Sequence, residues 1–213
     1  SGGIFTAGNV TTTNDNVTYA SRTTLTGNVL VNTGAGLGTI AFNDILNGTS
    51  PSAQTLGLTA GTGDITFLSA VGFLNRLGAI TITNARDVNA NGTIDAASFV
   101  QSAGTGTTTF NGAQVYTALA GLNVRTNSIV LNNTVDTLDA GVSGTVILNA
   151  TNTLTINVDG DITSDGAVTF TGGGGIFTAG NVTETTSDAV VYASNTTLTG
   201  DVVITTNGGN IEF

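Results

Sequence analysis

"GDITF", Gly63–Phe67, is a glycine followed by apolar residues two positions apart. That alternation is the period of a strand with one face turned to a core. The same unit returns as "GTIAF" from Gly38, "GAITI" from Gly78, "GTTTF" from Gly106, "GTVIL" from Gly144, "GAVTF" from Gly166 and "GNIEF" from Gly209. The intervals cluster loosely near multiples of 20, with 15 and 28 as exceptions. Further strands are expected at "NVLVN", "LNVRTNSIVLNN" and "TLTINV", and glycine interrupts every candidate helix.

Short strands at this spacing predict an all-β chain wound as a parallel β-helix, a β-solenoid of roughly ten coils. Coils stacked at about 4.8 Å would make a rod about 50 Å long. The expected core ladder is Ile40, Phe42, Ile65, Phe67, Ile80, Ile82, Val146, Leu148, Val168, Phe170, Ile211 and Phe213. β-Sandwich repeats are the alternative. The coil is preferred because Asn-Gly hairpin signals do not mark each turn.

A longer repeat encloses the short one. "GGIFTAGNVT" occurs at Gly2–Thr11 and again, letter for letter, at Gly174–Thr183. The match runs on through "VTYASRTTLTGNVLV" from Val17 and "VVYASNTTLTGDVVI" from Val190, and ends with "TIAF" at Phe42 and "NIEF" at Phe213. A period of about 172 residues is too long for one coil, so it must hold several. Residues 1–172 then form one unit, and 173–213 open the next, continuous with it. Both ends are expected to fall inside an array of such units.

Composition narrows the function. There is no His, Cys, Met or Trp, and the four cations are Arg22, Arg76, Arg86 and Arg125, against 14 acids and a net charge of -10. Such a chain repels phosphate, so nucleic acid is not an expected partner. No apolar run approaches the roughly 18 residues of a membrane span, so membrane insertion is not expected. Without His or Lys the usual bases that activate a nucleophile are gone, and zinc loses its preferred ligands. An enzyme is not expected; a carbohydrate-active enzyme is the third of three readings.

The units "GTIAFNDIL", "GDITFLSAVGFLNRLGAITITNA" and "GAVTFTGGGGIFTAGNVT" resemble the strand repeats of filamentous-haemagglutinin-like adhesins and related giant bacterial surface proteins. The resemblance covers the whole chain and is carried by the Gly-x-Val/Ile-x-Phe units, the Thr/Asn-rich outer positions and the lack of Cys. It implies a right-handed parallel β-helix, export to the cell surface, and a role as stalk, adhesin or matrix fibre. The expected function is a structural segment that stacks end to end on copies of itself. A glycan- or receptor-binding module on a host surface is the second reading.

Two stretches are candidate cation sites. "DVNANGTIDAAS", Asp87–Ser98, matches a calcium loop at Asp87, Asn89, Asn91, Gly92 and Asp95, but Ser98 stands where a bidentate Glu is required. "NVDGDITSDG" supplies Asp159, Asp161 and Asp165. The ordinary reading of both is a loop between coils, so no cofactor is expected beyond calcium at these loops. Tyr19, Tyr116 and Tyr192 are the candidate exposed contact points, with Tyr19 and Tyr192 also readable as equivalent residues at the core edge of successive repeats.

Overall fold

The computed structural model describes residues 2–139 and 142–213. Among them there is no helix, and about half the residues lie in short strands wound as a parallel β-solenoid of about 9 turns. At about 4.8 Å per turn the rod is about 43 Å long.

Each turn has three faces, visited in the order A, B, C. Face A stacks Ile4, Thr23, Leu46, Val71, Ile94, Gln114, Val135, Ile162, Val182 and Ile204. Face B stacks Val10, Val31, Leu58, Ile82, Gln101, Val124, Leu148, Phe170 and Tyr192. Face C stacks Val17, Ile40, Ile65, Val88, Thr108, Ile129, Leu154, Ile176 and Thr196. Every one of these pairings is parallel. One antiparallel pair, Leu138–Asp139 with Val142–Ser143, projects from an A-to-B corner.

The faces explain the uneven spacing of the glycine units. "GTIAF", "GDITF" and "GTTTF" are face C strands, whereas "GAITI", "GTVIL", "GAVTF" and "GNIEF" are face B strands. The interval of 15, from Gly63 to Gly78, crosses from C to the next B, and the interval of 28, from Gly78 to Gly106, crosses back. The units are two interleaved columns, not one series.

Alternate residues fill the interior. Ile40, Phe42, Ile65, Phe67, Ile80, Ile82, Val146, Leu148, Val168 and Phe170 are all buried. Ile211 and Phe213 continue the ladder over Val190 and Tyr192 but are 43% and 78% exposed, because only one side of the final turn has a neighbour. Aromatic rings stack where columns align them: Tyr19 on Phe42 at 4.7 Å between centroids, and Phe42 on Phe67 at 5.5 Å, the ring planes nearly parallel in both. Corners press backbone on backbone. Gly72 has φ +78°, and a Cβ there would lie 2.0 Å from the Asp95 carbonyl oxygen. Only glycine fits that corner.

The tyrosines are not exposed contact points. Tyr19, Tyr116 and Tyr192 are 7%, 0% and 1% exposed, because each is an inward position of its strand. Burial raises the pKa of Tyr19, pushes Tyr116 well above 10.0, and pushes Tyr192 up to about 12. The folded state therefore keeps protons that the unfolded chain begins to release near 10. Stability from these groups is complete below 10 and declines as pH rises from there through about 12. Tyrosinate absorbance followed during alkaline titration should rise together with the loss of strand circular dichroism. Tyrosinate forming at pH 10 with the strand signal intact would place these rings outside the core.

Candidate cation loops and corner acceptors

Along a strand the outward positions come every second residue. Asp87, Asn89 and Asn91 are successive outward positions at and around the face C strand Val88–Ala90, with Val88 and Ala90 buried between them. Gly92 lies in the following corner, and Asp95 stands outward between buried Ile94 and Ala96 on face A. The spacing of a calcium loop is thus laid out over two faces.

Asp87, Asn91 and Asp95 each have a local partner. Asp87 Oδ1 accepts the Thr107 amide at 2.7 Å, and its Oδ2 accepts Arg86 Nε at 3.1 Å. Arg86 also donates to both carboxylate oxygens of Asp64, at 2.9 and 2.6 Å, which raises its own pKa. Asp95 pairs with Arg76 at 2.5 Å. Asn91 Oδ1 accepts Asn111 Nδ2 at 2.8 Å, Asn111 Oδ1 accepts Asn132 Nδ2 at 2.7 Å, and Asn132 Oδ1 accepts Asn157 Nδ2. Four amides thus climb one corner as a ladder.

The second stretch is also divided. Asp159 sits in the exposed turn after face C, and Asp161 follows at the same corner, where its Oδ1 accepts the Asn181 amide at 2.7 Å. Asp165 lies one corner further on, nearly buried, and accepts the Gly144 amide at 2.7 Å. Among the described residues no three acidic side chains come together as a metal site.

These bonds share one pattern. At a corner the chain leaves its strand, and an amide that would have paired in the sheet needs another acceptor. A short Asn or Asp side chain on the neighbouring turn supplies it: Asn9 to Leu30 at 2.8 Å, Asn28 to Thr55 at 3.0 Å, Asn16 to Thr39 at 2.9 Å, and Asn181 to Val203 at 2.8 Å. Hydroxyls serve the carbonyls. Thr137 donates to Gly144 at 2.7 Å, Ser164 to Gly166 at 2.8 Å, and Thr206 to Gly209 at 2.7 Å.

Glu184 departs from this pattern. It stands beside Ser164 in the register of face A, at a position that holds a hydroxyl in the neighbouring turns, and is 1% exposed. A carboxylate has no proton to donate to a carbonyl. Its Oε1 instead accepts the amide and the hydroxyl of Thr186, both at 2.5 Å, and among the described residues its Oε2 has no hydrogen-bond partner. Sequence reasoning passed over it because a lone Glu in a Thr-rich corner has no motif around it.

Shallow depressions line the corners and the last turn, the latter walled by Tyr192, Ser194, Thr196 and Phe213. Comparison with protein-family models, with curated proteins and with solved structures finds no match to this chain.

Two substitutions test the corner chemistry. Asp161→Asn keeps the acceptor for the Asn181 amide and should melt within a degree or two of the parent, whereas Asp161→Ala strands that amide and should cost about 1 kcal/mol. Neither variant's melting should respond to added calcium; a calcium-dependent shift lost in Asp161→Asn would make the carboxylate a ligand. Glu184→Thr restores a hydroxyl donor and removes the bare oxygen, so thermal unfolding should show a gain of about 1 kcal/mol. A loss would mean that the carboxylate has a partner of its own.

Proposed function

We propose that the chain is a structural segment of a secreted bacterial fibre or surface-adhesin stalk, whose product is stiff length. The observation that carries this reading is that the repeated passage enters one continuous set of parallel columns at both places, its Tyr19–Phe42 stack recurring as Tyr192–Phe213. Phe42 is the equivalent of Phe213. In the first copy a further turn brings Phe67 against Phe42, which is then 2% exposed. Phe213 already stacks on Tyr192 at 5.0 Å and presents its other side, 78% exposed. A turn of a second copy placed there would bury it as Phe67 buries Phe42.

The remaining features support the same role. The columns of faces A, B and C run unbroken along the rod, so bending it means opening backbone hydrogen bonds. The outer surface is kept wet by Thr and Asn instead of Lys, and a charge of -10 opposes side-by-side clumping. The β-helix architecture and the Gly-x-Val/Ile-x-Phe units agree with a haemagglutinin-like surface protein, and a place outside the cell follows from that reading.

Electron microscopy of the purified chain should show thin, unbranched rods that lengthen with protein concentration. Phe213→Asp should leave the melting temperature within about 2 °C, since a surface substitution changes little, and should return the rods to single lengths of about 43 Å. Single rods of the parent at every concentration and salt level would overturn end-to-end stacking.

A further inference from the structure

The two copies of the repeated passage do not lie on the same faces. Ile4 is on face A, but its equivalent Ile176 is on face C. Val10 is on B and Val182 on A; Tyr19 is on C and Tyr192 on B. Thr23 is on A and Thr196 on C; Val31 is on B and Ile204 on A; Ile40 is on C and Ile211 on B. Each equivalent pair is displaced by one face in the same direction.

The local structure survives the displacement. The Ile4 amide donates to the Arg22 carbonyl at 2.8 Å, and the Ile176 amide donates to the Asn195 carbonyl at 2.9 Å. The Leu30 amide reaches Asn9 Oδ1 and the Val203 amide reaches Asn181 Oδ1, each at 2.8 Å. Thr33 closes on the Gly38 carbonyl and Thr206 on the Gly209 carbonyl, each at 2.7 Å. Tyr19 stacks on Phe42 and Tyr192 on Phe213. The passage carries its own corners and turn-to-turn bonds, whichever face receives it.

The path between the copies can be followed face by face. From Ile4 the chain returns to face A at Thr23, Leu46, Val71, Ile94, Gln114, Val135 and Ile162, which is seven full turns. It then crosses face B at Val168 and reaches Ile176 on face C. We propose that the 172-residue unit advances by seven and two-thirds turns, so that successive units dock with a rotation of two-thirds of a turn and carry the same surface round all three faces. This deepens the tandem-fibre reading and rests on it for any length beyond one unit. The partner that fits each end is another copy of this unit, seated one face over. At about 4.8 Å per turn each unit rises about 37 Å, and a given residue returns to the same face only after three units, about 110 Å. A flat receptor-bearing surface would then meet every third unit, and a surrounding matrix would meet all of them.

Two measurements separate this from the fibre reading itself. The chain has no Cys, so engineered thiols are unambiguous. Phe177 and Thr155 are register partners on face C, both outward. Register partners sit about 4.8 Å apart, within disulfide reach. The pair Phe177→Cys with Thr155→Cys should oxidise nearly completely, as should the control pair Thr163→Cys with Thr183→Cys, partners on face A. The pair Phe177→Cys with Thr163→Cys should not; its oxidation would mean that the repeat returns to its starting face, which overturns the proposal without touching the fibre. The second measurement extends the full chain by three further 172-residue units, so that four units in all each carry one Leu74→Cys, or its equivalent, labelled with a gold cluster at that exposed corner. Electron images should show the particles stepping round the rod by a third of a circle and realigning every third unit. A single straight file of gold would overturn the rotation. A failure of the units to form a rod would overturn the fibre and leave the thiol result to decide the face step.

Discussion

Parallel pairing between successive turns is the constraint from which the rest follows. A strand in this coil finds partners for its backbone N–H and C=O groups only in the turns on either side. Parallel register then fixes side chains as well as backbone. An inward residue meets the inward residue of the next turn at nearly the same height and angle, as Ile40 meets Ile65 and Phe42 meets Phe67. The core is therefore a set of columns, and its stability is a sum over neighbouring turns. Phe67, covered on both sides, is wholly buried; Phe213, covered on one, is mostly bare.

Corners are where that pairing lapses, and they account for the composition. The chain is only 8% charged yet rich in Asn and Thr because corner amides and carbonyls need short, local partners. Asn9, Asn28, Asp64, Asp87, Asp161 and Asn181 all accept from an amide of a neighbouring turn. The same composition gives the calcium-loop pattern a second origin. Outward positions recur every second residue and a corner often takes Gly, so strand geometry by itself yields Asp-x-Asn-x-Asn-Gly, as at Asp87–Gly92.

The alternation within each strand was legible, and with it the solenoid and ten of the twelve ladder residues as fully covered core. The number of faces was not. Strands of faces B and C share one pattern, so "GDITF" and "GAITI" read as members of a single series, although the first stands on face C and the second on face B. Turn length also varies, from 19 residues between Ile4 and Thr23 to 27 between Val135 and Ile162, the longer turn holding the small antiparallel pair. Corners absorb that variation, and single-sequence spacing cannot assign it. Of the two readings open for Tyr19 and Tyr192, the structure bears out the core-edge one, and Tyr116 is buried with them. Parity in the strand decides which way each ring points.

Equivalent faces loosen the rule that a tandem repeat must close on whole turns. A unit needs only a whole number of faces, provided that its inward residues suit any column. The two copies show how that condition is met. Inward pairs are the same or nearly so: Ile4 and Ile176, Thr6 and Thr178, Val10 and Val182, Tyr19 and Tyr192, Leu25 and Leu198, Val31 and Ile204, Phe42 and Phe213. Differences gather at corners and outward positions, where Thr12 becomes Glu184, Arg22 becomes Asn195, Asn28 becomes Asp201, and one residue is inserted before Val190. Thr12 closes a B-to-C corner on the Asp15 carbonyl at 2.8 Å, whereas Glu184, at an A-to-B corner, turns to Thr186. What a face shares with the others is its depth and its alternation. What distinguishes it is the corner that leads away, and it is there that the copies have diverged.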